Sequence, residues 1–284
     1  MSMHILTITC PDRAGIVAAV TSFLSEQGAF ITEAAQFGDP VSARFFQRIV
    51  FRVENGAGAP AAFAKAFAPI VAKFEMKWTL HEAGHKDRVL IAVSKFGHCL
   101  NDLLHRYRTG ALPVEVVGVV SNHEDMRGIV EWHGVPYHHF PIDAAAKKSE
   151  QEGRWLSLID ELKVDLVVLA RYMQILSEDA CQRLSGRCIN IHHSFLPSFR
   201  GARPYHQAHT RGVKIIGATA HYVTPMLDEG PIIEQAVERV DHGRTPDDLI
   251  EVGRDIEAVV LARAVQYHIE RRVLLNGNKT VVFR

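Results

Sequence analysis

Hydrophobic and polar positions follow one pattern up to about residue 84 and another beyond it. In the first part, apolar residues either alternate with polar ones, as in half-buried strands, or recur at helical spacing. The predicted strands are 4–10, 30–37, 45–53 and 76–81, and helical spacing is clearest at Ile16, Val20, Phe23 and Leu24. A second, Ala- and Phe-rich helix follows the break at Asn55-Gly56-Ala57-Gly58. This βαββαβ order predicts a ferredoxin-like domain over residues 1–84.

After a polar linker at 82–87, continuous apolar runs alternate with helical stretches. The clearest such run is Val89–Val93, and further strands are predicted at Val114–Val120, Tyr137–Phe140, Leu166–Leu169 and Cys188–Ile191. Continuous apolar runs are typical of parallel strands that helices cover on both faces. The pattern therefore predicts an α/β chain whose second domain, residues 85–284, is Rossmann-like with a mostly parallel sheet and right-handed crossovers.

Composition narrows the possible partners. The chain has 284 residues, and 32 basic side chains balance 32 acidic ones, so there is no basic excess of the kind that nucleic-acid-binding proteins usually show. No apolar stretch is long enough for a membrane span, and Met1-Ser2-Met3-His4 lacks the layout of a signal peptide. The four cysteines are scattered, which is typical of free thiols in a reducing cytoplasm. We therefore expect a cytoplasmic protein with neither nucleic acid nor membrane as a partner.

An amide and an imidazole lie at the end of the last of these predicted strands, at Asn190 and His192. Residues two apart on a strand share a face, so both side chains point the same way at the strand end. An amide can donate a hydrogen bond to a carbonyl oxygen, and an imidazole can exchange a proton. The pair suits attack on a polarised C=O group. Taken alone, such a pair is more often a pair of polar residues that cap a turn.

A second polar segment lies between the strand that ends at Tyr222 and the strand that begins at Ile232. Its acidic residue Asp228 is followed by Gly230, so the segment taken alone is an ordinary turn. A carboxylate on such a loop can also return to the strand end that carries Asn190 and His192. A buried carboxylate with a raised pKa would suit a base at that point.

The two segments together resemble the folate-dependent formyltransferase family, which carries Asn-x-His-x-Ser-Leu-Leu-Pro at a strand end and a later Asp-x-Gly-x-Ile-Ile loop. The resemblance covers roughly residues 88–240 and implies that Asn190, His192 and Asp228 are catalytic. Further matches are Gly201 with Gln207-Ala208, Gly212-Val213, Gly217-Ala218-Thr219 and Gln235. His193 stands where the transferases usually have proline, and this His-His form resembles the hydrolytic branch, the formyltetrahydrofolate deformylases.

That branch implies hydrolysis of 10-formyltetrahydrofolate to formate and tetrahydrofolate, with the folate as substrate and no separate cofactor. The loop 170–176 is implied to line the pterin pocket, which makes Arg171, Tyr172, Met173, Leu176 and His193 candidate folate contacts. Arg171 could otherwise be a surface charge. The loop 94–99 lacks the Gly-Ser-Asn turn with which glycinamide-type transferases hold a phosphate, and this argues against a phosphorylated amine acceptor.

The N-terminal segment Asp12-Arg13-Ala14-Gly15-Ile16-Val17 resembles the ACT domains. That resemblance implies a small amino-acid effector near Asp12, Arg13 and Gly15, and assembly into a homo-oligomer. Backbone N–H groups at a helix N-terminus can accept such a carboxylate. The alternative is a tight strand-to-helix turn in a module that serves only for dimerisation.

The sequence also bears on metal binding and on two alternative functions. His192 and His193 are adjacent on a strand, so we expect them to face opposite sides and not to share an ion. His206 and His209 could chelate, but a third ligand is not evident, and we predict no metal site. A formyltransferase that passes the group to an amine would use the same three residues. A non-catalytic amino-acid sensor would not need them.

Overall fold

The computed structural model describes residues 2–53, 60–142, 148–197 and 204–284. Asn55-Gly56-Ala57-Gly58 and Gly201 lie outside these residues. The chain divides into two compact units, each described by itself below. The first unit contains residues 1–85, 270–276 and 280–284, and the second contains residues 86–269 and 277–279.

The first unit contains a four-stranded antiparallel sheet in the order β2-β3-β1-β4. Its elements are β1 (Ser2–Pro11), α1 (Ile16–Glu26), β2 (Ala29–Asp39), β3 (Arg44–Val53), α2 (Pro60–Phe74) and β4 (Lys77–Glu82). The predicted βαββαβ order is therefore confirmed. Helix α1 buries Ile16, Val20, Phe23 and Leu24, as the spacing predicts. Phe23 packs against Phe67 with ring centroids 5.0 Å apart, and Phe67 meets Trp78 edge to face at 5.4 Å.

The last residues of the chain correct the predicted domain limits, because they cluster with the first unit and not with the second. They form a hairpin of β12 (Val273–Asn276) and β13 (Lys279–Val282). Leu274 and Phe283 pack against Phe46, which is fully buried. Polar contacts add to this packing, since Asn276 donates to Asp39 Oδ2 at 2.7 Å. The second domain predicted for 85–284 therefore loses most of its last fifteen residues to the first unit.

The second unit contains a seven-stranded sheet in the order β11-β10-β9-β8-β5-β6-β7. Its strands are β5 (Arg88–Val93), β6 (Glu115–Ser121), β7 (Tyr137–His139), β8 (Leu166–Leu169), β9 (Cys188–His192), β10 (Ile215–Tyr222) and β11 (Ile232–Arg239). The pairs among β5 to β9 are parallel, whereas β10 runs antiparallel to both of its neighbours. The mostly parallel sheet is therefore confirmed, with two antiparallel strands at one edge.

The helices of the second unit are α3 (His98–Thr109), α4 (Arg127–Trp132), α5 (Lys148–Glu161), α6 (Glu178–Arg183), α7 (Pro204–Thr210) and α8 (Pro246–Ile269). Thr245 and Asp248 cap the start of the last helix reciprocally: the Thr245 N–H donates to Asp248 Oδ2 at 2.7 Å and the Asp248 N–H to Thr245 Oγ1 at 3.2 Å. Among the described helices, none has both the length and the apolar composition needed to cross a bilayer.

The strand order creates a crevice beside β5. The chain passes from β5 to β6 on one side and places β8 on the other, so the loops that follow β5 and β8 diverge. Ligands in open α/β sheets bind at such a switch point. Ser94 ties the loops together, since its hydroxyl donates to Asn122 Oδ1 at 2.7 Å and accepts from the Met173 N–H at 3.0 Å.

Candidate active site

A cavity of about 570 Å³ opens at the carboxyl ends of the parallel strands. The predicted site residues of the second unit all line it, namely Asn190, His192, Asp228, Arg171, Tyr172, Met173, Leu176 and His193. They come from three separate segments: the loop after β8, the end of β9 with the residue that follows it, and the loop between β10 and β11. The three segments that sequence reasoning treated separately therefore meet at one place.

Asp228 reaches His192 from the loop between β10 and β11. Its Oδ1 lies 3.2 Å from His192 Nδ1, and both side chains are largely buried. Asp228 itself is left-handed, with φ 56°. The loop closes tightly behind it, because a Cβ at Gly230 would lie 1.7 Å from the Tyr222 carbonyl oxygen. Glycine at 230 thus lets the chain turn back and bring the carboxylate to the end of β9.

His192 is left with one ring nitrogen free for chemistry. With Nδ1 directed at Asp228, the buried Nε2 has no hydrogen-bond partner among the described residues. A carboxylate that holds one imidazole nitrogen fixes the tautomer and leaves the other nitrogen to accept and return a proton. The pair can therefore act as a general base and then as a general acid.

Asn190 lies opposite His221 in the antiparallel pair of β9 and β10. The His221 Nδ1–H donates to the Tyr222 carbonyl oxygen at 2.9 Å, which leaves His221 Nε2 to accept from Asn190 Nδ2 at 3.3 Å. The amide of Asn190 keeps a second N–H that can donate to a ligand. His221 is fully buried, and its burial lowers the pKa of the ring, so it stays a neutral acceptor.

The carboxylate of Asp228 is stabilised in its charged form, contrary to the raised pKa that would suit an isolated base. Burial works to raise the pKa of Asp228, but the hydrogen bond and charge of His192 and the charge of His221 outweigh it. The net pKa lies below its ordinary value. Burial alone would raise the pKa of Asp228, whereas the imidazoles around the carboxylate decide the direction. A carboxylate of this kind suits an orienting partner better than a lone proton acceptor.

Two residues that match the formyltransferase motifs, Thr219 and Gln235, hold the segment that follows β9. Thr219 donates its hydroxyl to the Ser194 carbonyl at 2.9 Å and accepts from the Leu196 N–H at 3.1 Å. Gln235 donates to both Thr219 Oγ1 and the Leu196 carbonyl. These buried bonds fix the chain as it leaves the strand, and so fix the orientation of His192 and His193.

The candidate folate contacts divide into exposed and buried side chains. Met173 is half exposed at the mouth of the cavity, and Leu176 is partly buried in the apolar core beneath it. Tyr172 instead turns inward, where its ring stacks on Trp155 at 6.2 Å and its hydroxyl accepts from Gln151. Its side chain supports the pocket wall, and only a small part of it is open to a ligand.

Arg171 is not a surface charge, because only 11% of its side chain is exposed. Its backbone is left-handed, with φ 65°, and its guanidinium lies over the ring of Phe96 with 5.4 Å between carbon and centroid. The cation therefore sits inside the cavity wall.

His193 does not face away from His192 as alternation along a strand predicts. The chain leaves β9 at His192, and the two rings lie 5.1 Å apart at an angle of 31°. Burial first, and then the positive charge of Arg171, lower the pKa of His193 to about 3. His193 is therefore a neutral ring beside the catalytic candidates.

The sequence reasoning missed a second polar group in the same cavity, centred on Glu257 of α8. This carboxylate is only 1% exposed and accepts hydrogen bonds from His98 Nε2 and from the Tyr205 hydroxyl, both at 2.7 Å. Arg171 Nη1 lies 3.5 Å away. The one available signal was an acidic residue among the apolar positions of a long helix, which is also typical of a solvated helix face.

His98, Cys99 and Glu257 lie close enough together to hold a metal ion. The surroundings do not favour it, because burial raises the pKa of the Cys99 thiol well above its ordinary value and Arg171 already places a cation beside Glu257. A neutral thiol is a weak metal ligand, and a neighbouring guanidinium repels a divalent cation. The group is better described as a hydrogen-bonded ion network.

The candidate effector residues lie together in the first unit. Gly15 adopts φ 90° immediately before α1, as a turn into a helix requires. The Asp12 N–H donates to the Ala43 carbonyl at 2.9 Å, and Arg13 pairs with Glu75. The backbone turn therefore forms as expected, while the side chain of Arg13 is engaged in an exposed ion pair.

Comparison with known proteins supplies the family. Residues 87–265 match the family model described as formyl transferase. A formyltetrahydrofolate deformylase of Corynebacterium sp. (strain P-1) is 53% identical over 99% of this chain and 98% of its own length. The crystal structure of a formyltetrahydrofolate deformylase from Burkholderia mallei is 52% identical, covers all of both chains and superposes with a TM-score of 0.94.

A glycinamide ribonucleotide transformylase from Symbiobacterium toebii is also similar, at 31% identity and a TM-score of 0.67, over 72% of this chain and 98% of its own. The deformylases match the whole chain, whereas the transformylase leaves more than a quarter of it unmatched. Because identity with the deformylases extends over nearly the full length, the chain belongs to the formyltetrahydrofolate deformylase family.

Proposed function

We propose that this protein hydrolyses 10-formyltetrahydrofolate to formate and tetrahydrofolate. The observation that carries the proposal is the contact of 3.2 Å between His192 Nδ1 and Asp228 Oδ1, formed beside Asn190 in a cavity large enough for a folate. The family supports the same reaction. Formate released in this way can supply purine synthesis and balance one-carbon pools.

The proposed step is acyl transfer to water. His192 Nε2 takes a proton from water as the water oxygen bonds to the formyl carbon, and Asp228 stabilises the imidazolium that forms. The same Nε2–H then donates to N10 of the folate as the bond between carbon and nitrogen breaks. The products are tetrahydrofolate, with its new N–H, and formic acid, which ionises to formate. Asp228 therefore acts in concert with His192, in keeping with its lowered pKa.

Asn190 completes the site by serving the formyl oxygen. One N–H of its amide is held by His221, which orients the other towards the cavity. A pre-oriented donor stabilises the negative charge that develops on the oxygen during attack. In this proposal the substrate, a water molecule and these side chains suffice, and the folate is the substrate and not a separate cofactor.

The folate itself would bind against the apolar part of the cavity. Met173, Ile175, Met226 and Leu227 are all more than half exposed and line it. Exposed apolar side chains around a pocket suit a flat aromatic ligand. We propose that the pterin and benzoyl rings lie against this set, with the backbone of the loop 171–176 beside them.

A formyltransferase remains the second candidate, since a related transformylase shares the fold. His193 and the loop with Phe96 and His98 favour the hydrolase, because they place bulky side chains in the cavity.

Purified protein given 10-formyltetrahydrofolate should release formate at its full rate without an amine, and glycinamide ribonucleotide should neither be formylated nor compete. His193→Pro should lower hydrolysis without raising affinity for the folate. Faster formyl transfer to the amine than formate release would reject the hydrolase.

For the first unit we propose a regulatory role, with a small amino acid bound at the turn of Asp12, Arg13 and Gly15, in a homo-oligomer. The left-handed Gly15 before α1 supports it, because that turn leaves backbone N–H groups at a helix N-terminus. Calorimetry of the full chain against methionine, glycine and serine tests the binding, and Gly15→Val should remove it. No heat with any of the twenty amino acids, and no effect of them on the rate, would leave only a role in assembly.

The cysteines support a cytoplasmic location. Cys10, Cys99, Cys181 and Cys188 are all buried and free. Unpaired thiols are typical of a reducing compartment.

A further inference from the structure

Four side chains that the proposed reaction does not use form a connected group in the cavity wall. They are Glu257, His98, Arg171 and Tyr205, called here the Glu257 cluster. Burying a carboxylate carries a desolvation cost that is offset only by good partners. A buried ionisable group with a perturbed pKa that lines a cavity, as Glu257 does, is a candidate for a functional role.

A glycine on α8 leaves space for this cluster. Tyr205 belongs to α7 and Glu257 to α8, and the two helices pack through an apolar cluster that includes Ile216 and Leu249. Gly253 lies one turn before Glu257, and a Cβ there would lie 2.1 Å from the Tyr205 hydroxyl oxygen. A glycine in the middle of a helix costs stability, so its presence here allows the tyrosine to reach the carboxylate.

The Glu257 cluster adjoins the catalytic residues through His193. The ring of His193 lies between that of His192, at 5.1 Å, and that of Tyr205, at 6.3 Å. Arg171 and Glu257 both act electrostatically on His193. A continuous series of contacts therefore runs from Asp228 through His192, His193 and Tyr205 to Glu257.

The cavity thus has two chemically different sets of lining residues. One set is exposed and apolar, and suits the rings of a folate. The other is the polar Glu257 cluster, whose carboxylate already accepts hydrogen bonds from His98 and Tyr205. Because Glu257 is paired internally, it offers no free charge to a protonated amine, and the Tyr205 ring lies beside that of His193.

We propose that the Glu257 cluster selects water as the acceptor of the formyl group, by holding His193 where its ring can accept a hydrogen bond from the attacking water. This inference rests on the proposed hydrolysis and assigns its specificity. Glu257 is a positioning residue, since it acts through Tyr205 and His193. When a hydrogen bond within the cluster is removed, we expect a small amine to reach the formyl carbon.

Hydroxylamine is a suitable probe because it is small and mostly uncharged at neutral pH. Its nitrogen bonds to the formyl carbon, the bond from that carbon to N10 breaks, and one N–H proton passes to N10. The products are N-formylhydroxylamine and tetrahydrofolate. The ratio of N-formylhydroxylamine to formate, corrected for the reaction without enzyme, measures which acceptor the site prefers.

The experiment compares the wild-type chain with Glu257→Gln and Tyr205→Phe. The latter keeps the ring against His193 and removes only the bond to the carboxylate. We expect each variant to raise the capture ratio by about tenfold or more, with KM for the folate changed by less than about twofold. The matched controls are Glu251→Gln on α8 and His209→Ala on α7, two exposed residues outside the cavity lining, which should keep the wild-type ratio.

The outcomes separate the two proposals. Should Glu257→Gln fail to fold, Tyr205→Phe decides the question alone. Folded variants that lose rate but keep the wild-type capture ratio would show that the cluster only supports the fold, and would overturn this inference. A wild-type chain that releases no formate would instead overturn the proposed hydrolysis, and the inference with it.

Discussion

Asn190 on β9 faces His221 on β10 across an antiparallel pair, with Asn190 Nδ2 3.3 Å from His221 Nε2. The bond explains why a histidine is buried beside the triad: it aims an amide that would otherwise rotate. Such pre-orientation is what a donor to a developing oxyanion needs.

Removal of either partner should therefore spoil the same interaction. We expect Asn190→Ala and His221→Phe each to lower kcat/KM, and the double variant to lose less than the product of the single losses. The coupling should be about 0.5–3 kcal/mol, the range for residues in direct contact. Asn190→Ala combined with His209→Ala, an exposed position, should be additive. Additive losses in the first pair would mean that His221 does not orient Asn190.

Asp228→Asn keeps the size of the side chain and removes the charge that stabilises the His192 imidazolium. Turnover should fall by ~10²-fold or more, the usual scale for general acid–base groups. The neighbouring Glu229→Gln is the control, because Glu229 is exposed and outside the cavity lining. Steady-state kinetics and circular dichroism on both variants check this. Near-normal turnover in a folded Asp228→Asn protein would remove Asp228 from the mechanism.

Adjacent leucines in the C-terminal hairpin should differ sharply in their effect on stability. Leu274 is 7% exposed and packs on Phe46, whereas Leu275 is 45% exposed. Leu274→Ala should therefore cost ~2–5 kcal/mol in the free energy of unfolding, and Leu275→Ala less than ~0.5 kcal/mol. Urea unfolding midpoints measure both. Equal effects would mean that the hairpin does not contribute to the core of the first unit.

The neutral His193 should make the protein sensitive to acid. Its pKa is about 3 in the folded chain and near 6.5 as an ordinary histidine, so between these pH values only the unfolded chain binds the proton. Stability should therefore fall as the pH drops from about 6.5 towards about 3, by up to ~1.4 kcal/mol per pH unit.

His193→Asn removes the titrating group and should flatten this part of the pH dependence. Thermal unfolding at a series of pH values provides the comparison, with His209→Asn as an exposed control that should keep the wild-type slope. A variant at 193 that loses stability in acid as steeply as the wild type would contradict the assignment.

Local patterns in the sequence were sufficient for most of the elements. The strand predicted at Leu166–Leu169 has those bounds, and the helix marked by Ile16, Val20, Phe23 and Leu24 buries those residues. Such elements are predictable because a continuous apolar run and helical spacing both reflect which side chains are buried. The segments that carry Asn190, His192 and Asp228 were also recognisable, since Asn190 and His192 lie at the end of a strand and Asp228 lies between two strands.

Features that depend on distant partners were not predictable. His221 becomes part of the site only through its register opposite Asn190, and Glu257 only through the packing of α8 near α7. The close approach of the His193 ring to the His192 ring depends on where the chain leaves the strand. In each case the decisive contact joins residues whose sequence neighbours give no sign of it.

The hairpin that covers Phe46 is made from the last residues of the chain, although Phe46 lies near its start. The second unit is thus an insertion within the first. On the ribosome, domains generally fold in the order in which they emerge. Here the catalytic unit can complete its sheet while the first unit still waits for Leu274 and Phe283, so the part of the protein made first is the part finished last.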